Sequence, residues 1–219
     1  LNNKKNRFFS NIANILTKIS IVVSKDLYNK ILFKSKVEII PCGVDFKIFF
    51  PISKDEARSK MKIPLNDKII LFSSSFNNKV KNYPLAKRAI ENLSQIKNLK
   101  IVELKGYKRA EINLLMNAAD VALMTSFTEG SPQFIKESMA CNLPIVSTDI
   151  GDVRHNIEKT HGCYITRHDS KEISIKLQKA LMFKKPTNGR NDIKYLDNKI
   201  IARRILKVYK DIKIKKNQK

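Results

Sequence analysis

Short apolar runs alternate with amphipathic stretches along most of the chain. The clearest apolar runs are residues 68–72, 100–104, 121–124, 144–147 and 163–165. Because each run is short and bounded by polar turn residues, these runs predict buried strands. The stretches between them place apolar residues three and four positions apart, which is typical of helices with one buried face. Strands alternating with helices predict an α/β fold with a doubly wound, Rossmann-like parallel sheet.

The remaining elements are predicted from the same patterns. Helices are expected over residues 54–61, from about 84, over 109–117, over 170–183 and over 201–212. Near the start of the chain, residues 19–23 and 37–40 are short runs of β type. Ser24 begins a predicted helix between them that extends toward Phe33.

The stretch from residue 121 to residue 147 organises the rest of the chain. Ser131 is expected to be the N-cap of a helix, and Pro132 suits the first helical position. The helix should end near Cys141, because Asn142 tolerates a left-handed backbone and Pro144 stops continuation. Strand, loop, helix and strand in so few residues predict a βαβ unit.

Two glutamates border the crevice that such a unit forms. Glu129 lies in the loop before the helix, and Glu137 lies about one and a half turns inside it. In a parallel sheet ligands bind where strands end and helices begin, and the amides of residues 131–134 would offer a seat for phosphate. A carboxylate accepts two hydroxyl donors, so a vicinal diol of a sugar suits each glutamate. Taken alone, a pair at this spacing is more often two solvated charges.

The surrounding motif changes that interpretation. Three features together resemble the signature of nucleotide-sugar-dependent glycosyltransferases. They are Glu129-Gly130, the spacing of seven residues between the glutamates, and the run from Ser138 to Val146. More narrowly, the motif is similar to that of the fourth sequence family (group 1) of the GT-B fold. The resemblance implies that Glu129 contacts the donor sugar and Glu137 the nucleotide ribose. It also assigns donor binding to the residues that follow Glu129, namely Gly130, Ser131, Pro132, Gln133 and Phe134.

The resemblance extends to the earlier strands. Lys81 matches the family lysine that holds the donor diphosphate, and with Glu129 it forms the predicted catalytic pair. Ser75 stands where the family has an arginine, so half of that cationic clamp is absent or supplied by Lys79. Tyr107 follows the strand 100–104, where a family residue packs on the nucleobase. The alternatives are a solvated lysine and a surface aromatic.

A second motif implies the domain organisation. Pro41-x-Gly43-Val44-Asp45, followed by Phe50-Pro51, resembles the passage between the two GT-B domains. The resemblance implies that residues 1–48 are a remnant of the N-terminal acceptor domain with the linker, and that residues 49–190 are the nucleotide-sugar-binding domain. Residues 191–219 would be a basic helix that crosses back to the N-terminal domain. We therefore expect this chain to hold mainly the donor-binding half of an enzyme.

Charge and composition bear on the partners. The 219 residues carry a formal net charge of +23, and the segment from Lys184 holds thirteen basic and three acidic residues. This balance favours an anionic partner, although a Lys-rich compositional bias explains part of it. For the tail, a crossing helix is preferred, an anionic membrane surface is compatible, and nucleic acid lacks a supporting module. The cysteines and histidines have no metal-like spacing, and we expect neither a metal nor another cofactor.

The functional prediction follows from the resemblance. The protein is expected to be a retaining glycosyltransferase that moves a sugar from a nucleotide-diphosphate donor to a glycan or lipid-linked acceptor, in cell-surface polysaccharide synthesis. It would work in the cytoplasm or at the inner face of the membrane. The helix start near Ser131, with Lys81, would neutralise the departing diphosphate. The alternative is a non-catalytic module that binds a nucleotide sugar.

Overall fold

The computed structural model describes the backbone of residues 4–217 and the side chains of residues 6–214. The strands are β1 (Ser20–Val22), β2 (Val37–Ile39), β3 (Lys68–Phe72), β4 (Leu99–Glu103), β5 (Val121–Met124), β6 (Ile145–Thr148) and β7 (Cys163–Thr166). The helices are α1 (Lys4–Leu16), α2 (Lys25–Asn29), α3 (Lys54–Met61), α4 (Tyr83–Glu91), α5 (Arg109–Ala118), α6 (Gln133–Ala140), α7 (Val153–Ile157), α8 (Ser170–Met182), α9 (Gly189–Asp192) and α10 (Asn198–Asn217).

Five parallel strands form the main sheet, in the order β4-β3-β5-β6-β7. Alternate residues of β3 point to opposite faces, because side chains along a strand alternate. Ile69 and Leu71 pack in the core with residues of α5 and α6, whereas Ile70 and Phe72 pack with residues of α4 and α8. Since helices cover both faces, the strands are continuous apolar runs. The predicted doubly wound parallel sheet is confirmed.

The strand order reverses between β3 and β5. From β3 the chain moves outward to β4, and it then returns past β3 to continue through β5, β6 and β7. In open α/β sheets this reversal leaves a crevice at the carboxyl ends of the two central strands. The loop of residues 73–82 and the loop of residues 125–132 lie at this point.

The N-terminal segment forms a separate two-stranded parallel sheet of β1 and β2. Ser24 caps α2 by accepting from Leu27 N at 3.3 Å. The predicted extension of this helix to Phe33 is wrong, because Lys30 already ends it. Leu32 and Phe33 are exposed, so a longer helix would gain no packing of an apolar face, from which most helical stability comes.

The linker that follows β2 contacts the start of the C-terminal helix. Val44 pairs with Asp197 in an isolated parallel bridge, and α10 begins at the next residue, Asn198. Arg204 of α10 donates to Ile39 O of β2 at 2.8 Å. The predicted domain limits near residues 48 and 190 stay predictions.

Candidate functional site

The two loops at the strand reversal are joined by hydrogen bonds. Thr125 Oγ1 donates to Lys81 O at 2.9 Å and to Asn82 O at 3.0 Å. Phe127 N donates to Val80 O at 2.9 Å. The backbone that carries Lys81 is therefore fixed against the loop that carries Glu129.

Lys81 and Glu129 form an ion pair across the crevice. Lys81 Nζ lies 2.5 Å from Glu129 Oε1, and the two side chains are 18% and 17% exposed. The structure thus brings together the two side chains that the sequence predicted as the catalytic pair. Partial burial strengthens their attraction, because water screens it less.

The start of α6 differs from the prediction in its capping. Pro132 is the N-cap, one position later than expected, and no capping side chain is found for this helix among the described residues. Ser131 does not cap it because its hydroxyl is used elsewhere: it donates to Asp152 Oδ2 at 2.6 Å and accepts from Lys136 Nζ. The first amides of a helix lack partners inside the helix. Those at the start of α6 are thus free of a side-chain cap, which suits an anion.

Gln133 and Phe134 contribute differently to this helix start. Gln133 is exposed, whereas the Phe134 ring is buried in the core. Only the backbone amide of Phe134 is therefore placed to contact a ligand, while Gln133 could contribute its side chain as well.

Glu137 lies on α6, facing α5. Its carboxylate is 3.5 Å from Arg109 Nη2, and its side chain is 12% exposed. Burial raises the pKa of Glu137 because the charged form loses hydration, and the positive charge of Arg109 opposes this rise. The Arg109 guanidinium also lies over the Phe49 ring, 5.2 Å from its centroid.

Ser75 and Tyr107 lie in the loops that follow β3 and β4, on the same edge of the sheet. Ser75 Oγ accepts from Asn77 N at 3.3 Å, so it stabilises a turn within its own loop. Tyr107 is exposed, two residues before α5 begins at Arg109. Their roles in diphosphate and base binding stay predictions.

Sequence reasoning missed three charged residues next to these positions. From the sequence, Arg109 is predictable only as the start of a helix, and nothing in the sequence links it to Glu137. Asp152 follows Gly151 in the sequence, and no local pattern connects it with Ser131 or Lys136. Lys136 offered a signal, because Ala140 and Leu143 follow it at helical spacing on an apolar face.

Comparison with known proteins defines the class of protein. The sequence profile of the family described as "Glycosyl transferases group 1" matches residues 80–182. Sucrose-phosphate synthase from Thermosynechococcus elongatus superposes with a TM-score of 0.76 at 18% identity, over 96% of this chain and 62% of that chain. HepE from Anabaena, solved in complex with UDP and glucose, gives a TM-score of 0.73 at 17% identity, over 94% of this chain and 67% of that one.

A third similar structure is that of a C-terminal domain alone. The C-terminal domain of a group 1 family protein from Francisella tularensis matches with a TM-score of 0.55 at 20% identity, over 70% of this chain and 98% of that domain. No curated protein sequence matches this chain at a significant level. Residues 80–182 therefore match the group 1 glycosyl transferases. The fold around them is that of the C-terminal part of a GT-B glycosyltransferase, and the chain spans 62% of the synthase it superposes on.

Proposed function

We propose that the crevice between β3 and β5 binds a nucleotide-diphosphate sugar, and that the complete protein transfers this sugar to a glycan or lipid-linked acceptor. One observation carries the proposal. Lys81 and Glu129 form an ion pair between the two loops where the strand order reverses, the second loop leads into the uncapped start of α6, and Glu137 lies on that helix. The complex of HepE with UDP and glucose supports a donor of this class for proteins of this fold.

Each group in the crevice matches one part of such a donor. The amides at the start of α6 and the Lys81 ammonium suit the diphosphate, and Glu137 suits the ribose diol. Glu129 suits the hydroxyls of the sugar. As the bond to the sugar breaks, negative charge grows on the diphosphate, and preorganised donors lower the barrier by stabilising it.

Finer features of the function belong to the same proposal. Retention of anomeric configuration and a role in cell-surface polysaccharide synthesis follow from the family resemblance, and work without a metal follows from the lack of metal-like spacing among the cysteines and histidines. Contact with the inner face of an anionic membrane rests on the cluster of basic residues in α10. No described helix is long and apolar enough to cross a membrane.

A non-catalytic nucleotide-sugar module is the second candidate. Ser75 occupies the position where the family has an arginine, and the chain spans 62% of sucrose-phosphate synthase. A weakened diphosphate clamp favours binding without efficient transfer. Detection of a transferred sugar, with the donor and a saccharide or lipid-linked acceptor, separates the two candidates.

Calorimetric titration with UDP, GDP and ADP tests the donor site. We expect one of these nucleotides to bind, and Glu137→Ala to weaken that binding at least about tenfold, because a charged hydrogen-bond partner contributes about 1.5–3 kcal/mol. Glu91→Ala, at the exposed end of α4, is the matched control and should leave affinity unchanged. Unaltered affinity in a folded Glu137→Ala variant would remove the ribose assignment.

A further inference from the structure

A buried lysine lies directly behind the start of α6. Lys136 is 0% exposed, and its ammonium contacts Ser131 Oγ and lies 3.3 Å from Asp152 Oδ2. Removing an ammonium and a carboxylate from water costs free energy that their mutual attraction often fails to recover. We therefore expect the Lys136–Asp152 pair to have a role other than packing.

The hydroxyl of Ser131 is at the centre of the contacts. It donates to Asp152 Oδ2, and it accepts from Lys136 Nζ and from Cys42 N, the latter at 3.4 Å. A serine hydroxyl has one proton and two lone pairs, so all of its bonding capacity is used. The three partners come from the linker after β2, from α6 and from the turn before α7. Ser131 cannot shift without breaking bonds to three separate parts of the fold.

The network is not optimised for stability. Asp152 Oδ1 is buried and has no hydrogen-bond partner in the part of the chain that the structure describes. An unsatisfied buried acceptor is destabilising. An apolar pair of similar volume would avoid this penalty, so the charged pair is better explained by the geometry it imposes.

We propose that Lys136, Asp152 and Ser131 form a positioning network that fixes the start of α6 against the linker at Cys42. The inference rests on the proposed donor site, which it deepens. Ser131 precedes Pro132 and the first helical amide, that of Gln133. The network therefore sets the place and direction of the amides that meet the diphosphate, and it ties them to the chain segment that leads from β2 into the main domain. These are positioning residues, since the Lys136 ammonium itself is inaccessible to a ligand.

A double-variant experiment separates positioning from simple stability. Lys136→Met and Asp152→Asn each leave an uncompensated buried group, and each should lower the midpoint of thermal unfolding by about 10 °C. The double variant Lys136→Met/Asp152→Asn lacks both charges, and its midpoint of thermal unfolding should return most of the way to that of the wild type. UDP, or whichever of GDP and ADP binds, should nevertheless bind the double variant about tenfold more weakly than the wild type, as expected for a lost amide–phosphate hydrogen bond.

The control is a second buried ion pair, which lies at the amino ends of the strands, opposite the proposed site. Arg58 Nη2 lies 2.9 Å from Asp120 Oδ2. Asp120→Asn should lower the unfolding midpoint and leave nucleotide affinity unchanged. If the Lys136→Met/Asp152→Asn variant does not fold, Ser131→Ala replaces it, because that change removes the shared hydroxyl and keeps the ion pair.

Two outcomes decide the proposal. Weak nucleotide binding in a double variant with recovered stability, together with faster hydrogen exchange of amides 133–135, supports positioning. Recovery of affinity along with stability overturns it. If the wild type binds none of the three nucleotides, the proposed donor site fails, and the network is judged by hydrogen exchange alone. Unchanged exchange of amides 133–135 in the double variant would then show that the network positions nothing.

Discussion

Both carboxylates of the proposed site face a cation. Glu129 is held by Lys81 at 2.5 Å, and Glu137 lies 3.5 Å from Arg109. A diphosphate that reaches Lys81 must therefore compete with Glu129 for the same ammonium. Once the phosphate takes the ammonium, the Glu129 carboxylate is free to accept from the sugar hydroxyls. If the donor binds as proposed, its binding should therefore exchange the partners of these two residues.

This exchange predicts an unusual response to Glu129→Gln. The amide keeps the shape of the side chain but releases Lys81, so UDP should bind about two- to fivefold more tightly, the range that pairs near the surface give. The extra affinity of UDP-glucose over UDP should fall, because the carboxylate acceptor is lost. Calorimetry with both ligands at low and high salt measures the two effects.

Lys81→Met is the opposing variant in that assay. It should weaken UDP binding and leave uridine binding almost unchanged, and its effect should shrink as salt rises. Weaker UDP binding by Glu129→Gln would contradict the exchange of partners.

The raised pKa of Glu137 has a consequence for stability. The folded protein holds a proton on this carboxyl more tightly than the unfolded chain, whose glutamates titrate near about 4.3. Folding stability is therefore lost as pH rises from that value through the folded pKa. Burial causes the shift, and Arg109 opposes it.

Glu137→Gln should consequently raise the midpoint of thermal unfolding at pH 7.5 and have little effect near pH 4. Glu91→Gln, on an exposed surface, should shift neither midpoint. Thermal scans at the two pH values check this directly. A midpoint that falls at pH 7.5 would show that the Arg109 pair outweighs the cost of burial.

At the scale of elements, the site depends on close packing between the loop after β5 and the turn after β6. Gly151 has a φ of +60°, and a Cβ placed on it would lie 2.5 Å from Gly130 O and 2.9 Å from Glu129 O. Both the backbone angle and the lack of space require glycine here. This turn therefore supports the backbone of the loop that carries Glu129.

Gly151→Ala should destabilise the protein and weaken nucleotide binding together. Strain at a left-handed position costs about 1–3 kcal/mol, and the clash with the Glu129–Gly130 backbone adds to it. Gly106→Ala is the matched control, since Gly106 also has positive φ, at +81°, but an added Cβ meets nothing within 4 Å. Gly106→Ala should cost less stability. Equal losses in the two variants would mean that the loop contact contributes little.

At the scale of the whole molecule, α1 presents its apolar side outward. Phe8, Phe9 and Leu16 are exposed, Leu16 to 80%, whereas Asn11 and Asn14 are buried. The asparagines hold the helix in place: Asn11 Oδ1 accepts from Leu32 N and Asn14 Nδ2 donates to Ser20 Oγ, each at 2.9 Å. A face of this kind is typical of a surface that packs against another part of a larger assembly.

The purified 219-residue chain should therefore bind a nucleotide sugar without transferring it. Holding donor and acceptor together in the correct orientation contributes about 7–11 kcal/mol to such reactions, and this chain spans 62% of the sucrose-phosphate synthase it superposes on. We expect saturable binding of the nucleotide sugar, fast hydrogen exchange in α1 and no transfer product. Robust turnover with a saccharide or lipid-linked acceptor would show that this chain already contains a complete active site.

The sequence by itself determined the features that depend on near neighbours. Continuous apolar runs predicted β5 and β6, because strands covered on both faces need no polar positions. Ser24 caps α2, and Asn142 adopts the predicted left-handed backbone after α6, with φ of 56°. The positions of Lys81, Glu129 and Glu137 on strand-to-helix loops and a helix were also readable, since those elements are local. Their roles came from the family motif and remain to be tested.

Tertiary structure alone decided which of these groups meet. Ser131 was a good cap by local rules, but its hydroxyl bonds Asp152 and Cys42, which are 21 and 89 positions away. Arg109 meets Glu137 because α5 and α6 lie side by side, a contact that no helical periodicity encodes. Local patterns are limited to residues three or four positions apart. Contacts between distant loops depend on the order β4-β3-β5-β6-β7 of the strands in the sheet, which no local pattern determines.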